Sequence, residues 1–172
     1  MKVFLATDHA GFELKEKVKA FLQKEKYNVV DCGAYAFDKS DDYPDFISKA
    51  AEAVSVDPEN SRGIVFGSSG QGEAMVANKY KGVRCALFYT PVVPAHNVDI
   101  SGRKSEDKFE MIRLTREHND ANMLSLGAKI LTEEDAIKAI ALWLKAPFTK
   151  EERHQRRINK ILEIEAMQGC GC

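Results

Sequence analysis

The amino-acid sequence predicts an α/β fold, a mostly parallel five-stranded sheet with helices on both faces. Short continuous apolar runs alternate with stretches whose apolar residues recur every three or four positions. Turn-forming residues follow the short runs, as at Asp8-His9-Ala10-Gly11 and Gly67-Ser68-Ser69-Gly70. The chain has 172 residues, 44% of them hydrophobic, enough to bury a core without disulfides or a structural metal.

Lys2 to Thr7 is apolar throughout its centre and reads as a buried strand. Leu14, Val18, Phe21 and Leu22 then share one face of a helix over roughly 11–25. Asn28 to Cys32 is a second strand, and Gly33 to Pro44 a polar loop. Pro44 suits the first turn of a helix that carries Phe46, Ile47, Ala50, Ala51 and Val54. Gly63 to Phe66 is a third strand, followed by a Gly-Ser loop and a helix from about Glu73 to Tyr80. Val83 to Tyr89 and the short Met123 to Leu126 complete the sheet, and helices are expected at about 133–146 and 149–167. These βαβ units make a Rossmann-like, three-layer arrangement, in which ligands bind beyond the carboxyl ends of the strands. Asp8, His9, Gly67 to Gly72, Tyr89 and Thr90 occupy such positions. The stretch from Pro91 to Glu117 does not fit the alternation: Ser101 to Glu117 alone holds nine charged residues, and it reads as a long connection.

Lys and Arg number 25 and Asp and Glu 26, for a net charge of −1, which argues against nucleic acid or an anionic membrane as partner. No apolar run approaches the ~20 residues of a membrane span, and the N-terminus carries no signal-peptide pattern, so a cytoplasmic protein is expected. Cys32 and Cys85 sit in strand segments and read as packing residues. Cys170 and Cys172 lie in a Gly-rich tail at 168–172 that is expected to be flexible, and the four cysteines form neither a disulfide framework nor a zinc site.

Phe66-Gly67-Ser68-Ser69-Gly70-Gln71-Gly72-Glu73 joins a strand to a helix. Closely spaced glycines let backbone N–H groups turn toward an anion, and a helix start adds its positive end. The bound group is either a phosphate or a developing oxyanion, unless the glycines serve only a tight turn. The spacing matches neither a dinucleotide fingerprint nor a Walker A loop. Glu73, at the first turn, is either favoured by the helix dipole or a general base aimed into the site.

Six segments occur in a telling order: Ala6-Thr7-Asp8-His9-Ala10-Gly11-Phe12, Asp42-Tyr43-Pro44, Gly67 to Glu73, Ala77-Asn78-Lys79, Arg116-Glu117-His118-Asn119-Asp120 and Arg153-His154-Gln155-Arg156-Arg157. Together they resemble the type B ribose-5-phosphate isomerase family, which also contains the galactose-6-phosphate isomerase subunits. The resemblance implies interconversion of aldose and ketose phosphates through a cis-enediolate, with no metal and no organic cofactor. One variant of the family carries a Cys base just before the glycine loop, the other a Glu just after it. This chain has Gly67 at the first position and Glu73 at the second, so Glu73 is implied as the proton-transfer residue. Ser68, Ser69, Gly70, Gln71 and Gly72 map to the enediolate-stabilising loop, although Ser68 stands where most relatives have Gly. Asp8 and His9 map to a substrate-contacting pair. His118 maps to the ring-opening acid and, with Asn119, to a pair that reaches the neighbouring subunit's site. Arg153 and Arg157, four apart on one helix face, map to phosphate ligands. Lys129 replaces a further family Arg, keeping its charge and losing its fork.

The resemblance covers about residues 1–165 of one sugar-phosphate isomerase domain spanning 1–172, apart from an insertion at about 91–112. It implies a phosphorylated sugar as substrate, ribose 5-phosphate first and a hexose 6-phosphate as the alternative, and a homodimer or dimer of dimers with shared active sites. A non-catalytic sugar-phosphate-binding protein is the rival, and a retained base argues against it.

Overall fold

The computed structural model describes residues 1–169. Five parallel strands, β1 (Lys2–Thr7), β2 (Asn28–Asp31), β3 (Ser61–Gly67), β4 (Cys85–Phe88) and β5 (Met123–Gly127), form one sheet in the order β2-β1-β3-β5-β4. The central register is fixed by Lys2 opposite Ser61 and Gly63 opposite Met123. Strands buried on both faces need no polar alternation, and β5 is buried at every residue.

Six helices cover the faces: α1 (Phe12–Lys24), α2 (Pro44–Val56), α3 (Gln71–Ala77), α4 (Glu110–Asn119), α5 (Glu133–Lys145) and α6 (Glu152–Gly169). Leu14, Val18 and Leu22 of α1 and Ala136, Ile140 and Trp143 of α5 pack on one face against Val3, Leu5, Ile64, Phe66, Leu124 and Leu126. Ile47, Ala50, Ala51 and Val54 of α2 and Ala77 of α3 pack on the other against Ala6, Val65 and Met123. Successive strand residues thus feed opposite cores, as the two-residue period requires. None of the described helices is long and apolar enough to cross a membrane.

One expectation is corrected. Residues 110–119 form a helix rather than part of a long connection. Phe109 and Ile112 are fully buried, and the Phe109 ring stacks on Phe88 at 6.3 Å. The charges that disguised this helix are paired: buried Glu110 meets Arg103 at 2.6 Å, and Arg113 reaches Asp107. The tail cysteines Cys170 and Cys172 lie outside the described residues.

The sheet order reverses between β1 and β3, and the loops after these strands open a crevice at their carboxyl ends. The Thr7 hydroxyl donates to the Phe66 carbonyl at 2.8 Å, tying the first loop to the second. Gly11 lies so close to Phe66 and Thr7 that a Cβ there has no room. The loop over 33–43 is anchored from beneath by Lys15, which is fully buried and donates to both Asp31 oxygens and to the Ala34 carbonyl, each at 2.8 Å.

Candidate active site

Glu73 is 5% exposed, in the first turn of α3. Its carboxylate lies over Gly67, in the volume that a side chain at position 67 would take: a Cβ built there overlaps the carboxylate carbon and both oxygens. A side chain at 67 and an inward Glu73 therefore exclude each other. Burial pushes the Glu73 acid above the ordinary carboxylate range, and the nearby Asp8 charge pushes the same way. A carboxylate with raised basicity is suited to taking a proton from carbon.

The glycine loop wraps this carboxylate. Gly70 adopts φ 76°, a left-handed conformation that glycine reaches without strain, and it caps α3 two residues earlier than the sequence suggests. The Ser125 hydroxyl donates to its carbonyl at 2.6 Å. Ser68 is not left-handed, so its Cβ is accommodated without backbone strain. The N–H groups of Ser68, Ser69 and Gly70 find no acceptor among the described residues, which leaves them able to hold an oxyanion beside Glu73. Lys129 is drawn to the same loop, because its N–H donates to the Ser68 carbonyl at 3.1 Å. The Gln71 amide donates to the Tyr89 hydroxyl.

Asp8 is buried and accepts from the Ala10 N–H at 2.9 Å. His9 is half-buried, with its ring edge-on to Phe37 at 6.2 Å. Its N–H donates to Asp41 Oδ1 at 2.9 Å, and its Nδ1 lies 2.7 Å from the same oxygen. His9, Phe37 and Lys129 help line a cavity of about 190 Å³. Asp8, His9 and Asp41 also bring three ligand-type atoms within 4.8 Å of one another, and the hydrogen bonds just described account for that grouping.

The other candidates are elsewhere. His118 and Asn119 close α4, immediately before β5, and Arg84, which precedes β4, donates to the Asn119 carbonyl at 3.0 Å. They stand near the amino ends of β4 and β5, whereas Glu73 stands over Gly67 at the carboxyl end of β3. Arg153 and Arg157 accompany them at the start of α6: the intervening His154 stacks on His118 with centroids 4.2 Å apart, and Arg153 pairs with Glu151 at 2.8 Å. Within one chain, therefore, Asp8, His9, Ser68 to Gly72, Glu73 and Lys129 come together, and His118, Asn119, Arg153 and Arg157 form a second group at the far end of the sheet. A hollow of about 720 Å³ also opens at that end, but its arginines, Arg84 and Arg116, are already engaged by Asp120.

Sequence reasoning passed over Tyr43 and Asp41. Tyr43 has its ring against Gly72, where a Cβ would meet it at 2.6 Å. The Asp42-Tyr43-Pro44 segment signalled Tyr43. Nothing local signals Asp41, whose contact with His9 spans 32 residues. Burial raises the thiols of Cys32 and Cys85, and that of Cys85 is pushed up to about 12, with the Glu73 charge adding to the effect.

The family model described as Ribose/Galactose Isomerase matches residues 3–98 and 106–161, leaving 99–105 unmatched. A ribose-5-phosphate isomerase B of Mycolicibacterium paratuberculosis is 39% identical over 165 residues, covering 96% of this chain and 92% of the relative. Among solved structures, ribose-5-phosphate isomerase B of Mycoplasma genitalium with bound ribulose-5-phosphate superposes with a TM-score of 0.83 at 36% identity, covering 96% of each chain. That of Clostridium thermocellum gives 0.82 at 38% identity, covering 98% of this chain and 99% of its own. With a family model matched over most of its length and relatives of this identity and coverage, the chain belongs to the ribose/galactose isomerase family.

Proposed function

We propose that this protein interconverts ribose 5-phosphate and ribulose 5-phosphate by proton transfer through a cis-enediolate, and that Glu73 moves the proton. The observation that carries the reading is the buried Glu73 carboxylate held over Gly67 beside unengaged loop N–H groups. In the open-chain aldose, Glu73 removes the proton from C2. The electron pair forms the C1–C2 double bond, and the carbonyl electrons move to O1. The N–H groups of Ser68 to Gly70 hold the oxyanion so formed. Glu73 then returns its proton to C1 while the C2 hydroxyl proton passes to O1, and the ketose results. From the first loop Asp8 accepts from a substrate hydroxyl and His9 donates to a substrate oxygen, and Ser68 to Gly72 with Lys129 enclose the reacting end.

His118, Asn119, Arg153 and Arg157 belong to the same reaction from a second copy of the chain. His118 opens the furanose ring, and the arginines hold the phosphate by charge-assisted bonds. The support is their placement: His118 and Asn119 close α4 at the amino ends of β4 and β5, whereas Glu73 lies over Gly67 at the carboxyl end of β3. A homodimer with shared sites follows, working in the cytoplasm.

Steady-state assay on a panel of pentose and hexose phosphates in deuterated water tests the reading. Turnover of ribose 5-phosphate with deuterium entering the product is the expected result. A preference for a hexose 6-phosphate would reassign the substrate, and no turnover of any member would overturn the activity.

A further inference from the structure

We propose that Asp41 is a positioning residue for the isomerase site, holding His9 as an imidazolium whose outer nitrogen donates to the substrate. The inference rests on the proposed function for the substrate and on the Asp41–His9 geometry for the rest. Asp41 reaches His9 twice with one oxygen, at 2.9 Å from its N–H and 2.7 Å from Nδ1. The first bond fixes the backbone of the loop and the second fixes the ring. Nδ1 is then the donor, and Nε2 is left as the nitrogen that can meet a ligand.

The Asp41 side chain is only 10% exposed, and its second oxygen is buried without a hydrogen-bond partner. A carboxylate desolvated in this way needs a positive neighbour, and the His9 ring is the one in contact. The loop is built to keep it there. Ser40 donates to the Asp38 carboxylate through both its N–H and its hydroxyl, the Asp41 N–H donates to the Asp38 carbonyl, and Lys15 anchors the start of the loop from beneath. The other charges facing His9 are Asp8 at 3.9 Å and, along the same loop, Asp38, whose acid is held low chiefly by the Ser40 hydroxyl and slightly by His9 itself. Lys17, Lys129, Glu13 and Glu133 line the cavity beside it, two of each sign. The acids in contact therefore decide the balance, and His9 is held above the ordinary imidazole range, first by the Asp41 hydrogen bond.

Asp41→Asn tests the assignment, with Asp41→Glu as the conservative variant. Three readouts apply to each: ring-nitrogen NMR titration of His9, KM and kcat from pH 5.5 to 9, and thermal unfolding. In Asp41→Asn the His9 midpoint is expected to fall by about one pH unit, a tenfold change in its protonation equilibrium. KM for ribose 5-phosphate is expected to begin rising about one unit lower in pH than in the parent, with kcat within a few-fold. Asp41→Glu is expected to restore part of both shifts. An unmoved His9 midpoint in a folded Asp41→Asn protein overturns the coupling. A moved midpoint with an unmoved KM profile overturns the role in binding. If Asp41→Asn fails to fold, the same titration on Asp41→Glu decides, because the carboxylate's new distance must move the midpoint. If the parent turns over no sugar phosphate, the proposed function fails and the substrate donation with it, while the NMR midpoints still test the coupling between Asp41 and His9.

Discussion

Glu73→Gln keeps the shape of the side chain and removes its charge, and the two consequences have opposite signs. Loss of a general base lowers kcat by about 10²–10⁴-fold, with KM within a few-fold. Stability changes the other way. The folded Glu73 acid lies above its ordinary 4.5, so the protonated form is favoured by folding. That contribution is complete below about pH 4.5 and is lost as pH rises through the folded value. At pH 7 the variant is therefore expected to melt above the parent, and the gap should close by pH 4, which thermal scans at the two pH values measure. Gly67→Ala makes the complementary test. Its methyl group takes the place of the carboxylate and turns Glu73 out of the site, so kcat should fall at least about a hundredfold although no ionisable group has been removed. Activity near the parent's would show that the carboxylate does not work from over residue 67.

At the scale of elements, α4 separates what a one-dimensional pattern reveals from what it hides. β1 and β3 were legible as short apolar runs bounded by turn residues, and α1, α2 and α5 because their apolar residues recur at helical spacing. α4 was not, because Phe109, Ile112 and Leu114 carry its core face among nine charges, some of which pair with one another only in three dimensions. The glycine loop and Glu73 were legible as a motif, but the overlap between Gly67 and the carboxylate needs coordinates, as does the bond across 32 residues from Asp41 to His9. The start of α3 moved from Glu73 to Gln71 because a left-handed Gly70 caps it. The core role of α4 is measurable. Phe109→Ala should cost about 3–5 kcal/mol in denaturant unfolding, whereas Val93→Ser, half exposed on the same connection, should stay within about 0.5 kcal/mol. Replacing 99–105 by a short linker spares Phe109 and changes closure cost by only ~0.6 kcal/mol per halving, but it removes Arg103 and Ser105 from buried Glu110, so a folded protein of lowered stability is expected unless Glu110→Gln is made as well.

Across the whole molecule, the separation of the two residue groups sets a condition on assembly. If each site joins Glu73 of one chain to His118 of another, then Glu73→Gln and His118→Ala preparations are each nearly inactive alone. Unfolded together and refolded at equal amounts, half the dimers are mixed, and each mixed dimer has one site with both residues intact. Recovery of roughly a quarter of the parent's activity is expected. Recovery of none, with mixed dimers verified by mass spectrometry, would place both residues in one chain's site and overturn the shared arrangement.

The carboxylate over Gly67 also decides what can poison this protein. A thiolate base is open to alkylating agents, peroxide and electrophilic metals, and its loss by oxidation past the sulfenic state is permanent. With Glu73 as the proposed proton carrier no sulfur takes part, and the nearby Cys85 thiol, held to about 12, is almost never ionised at neutral pH. Iodoacetamide or millimolar peroxide should leave turnover within a few-fold of the untreated protein over the time that inactivates a cysteine-dependent isomerase. The exchange of one element for another at the reacting centre would thus keep sugar-phosphate flux running through an oxidative burst.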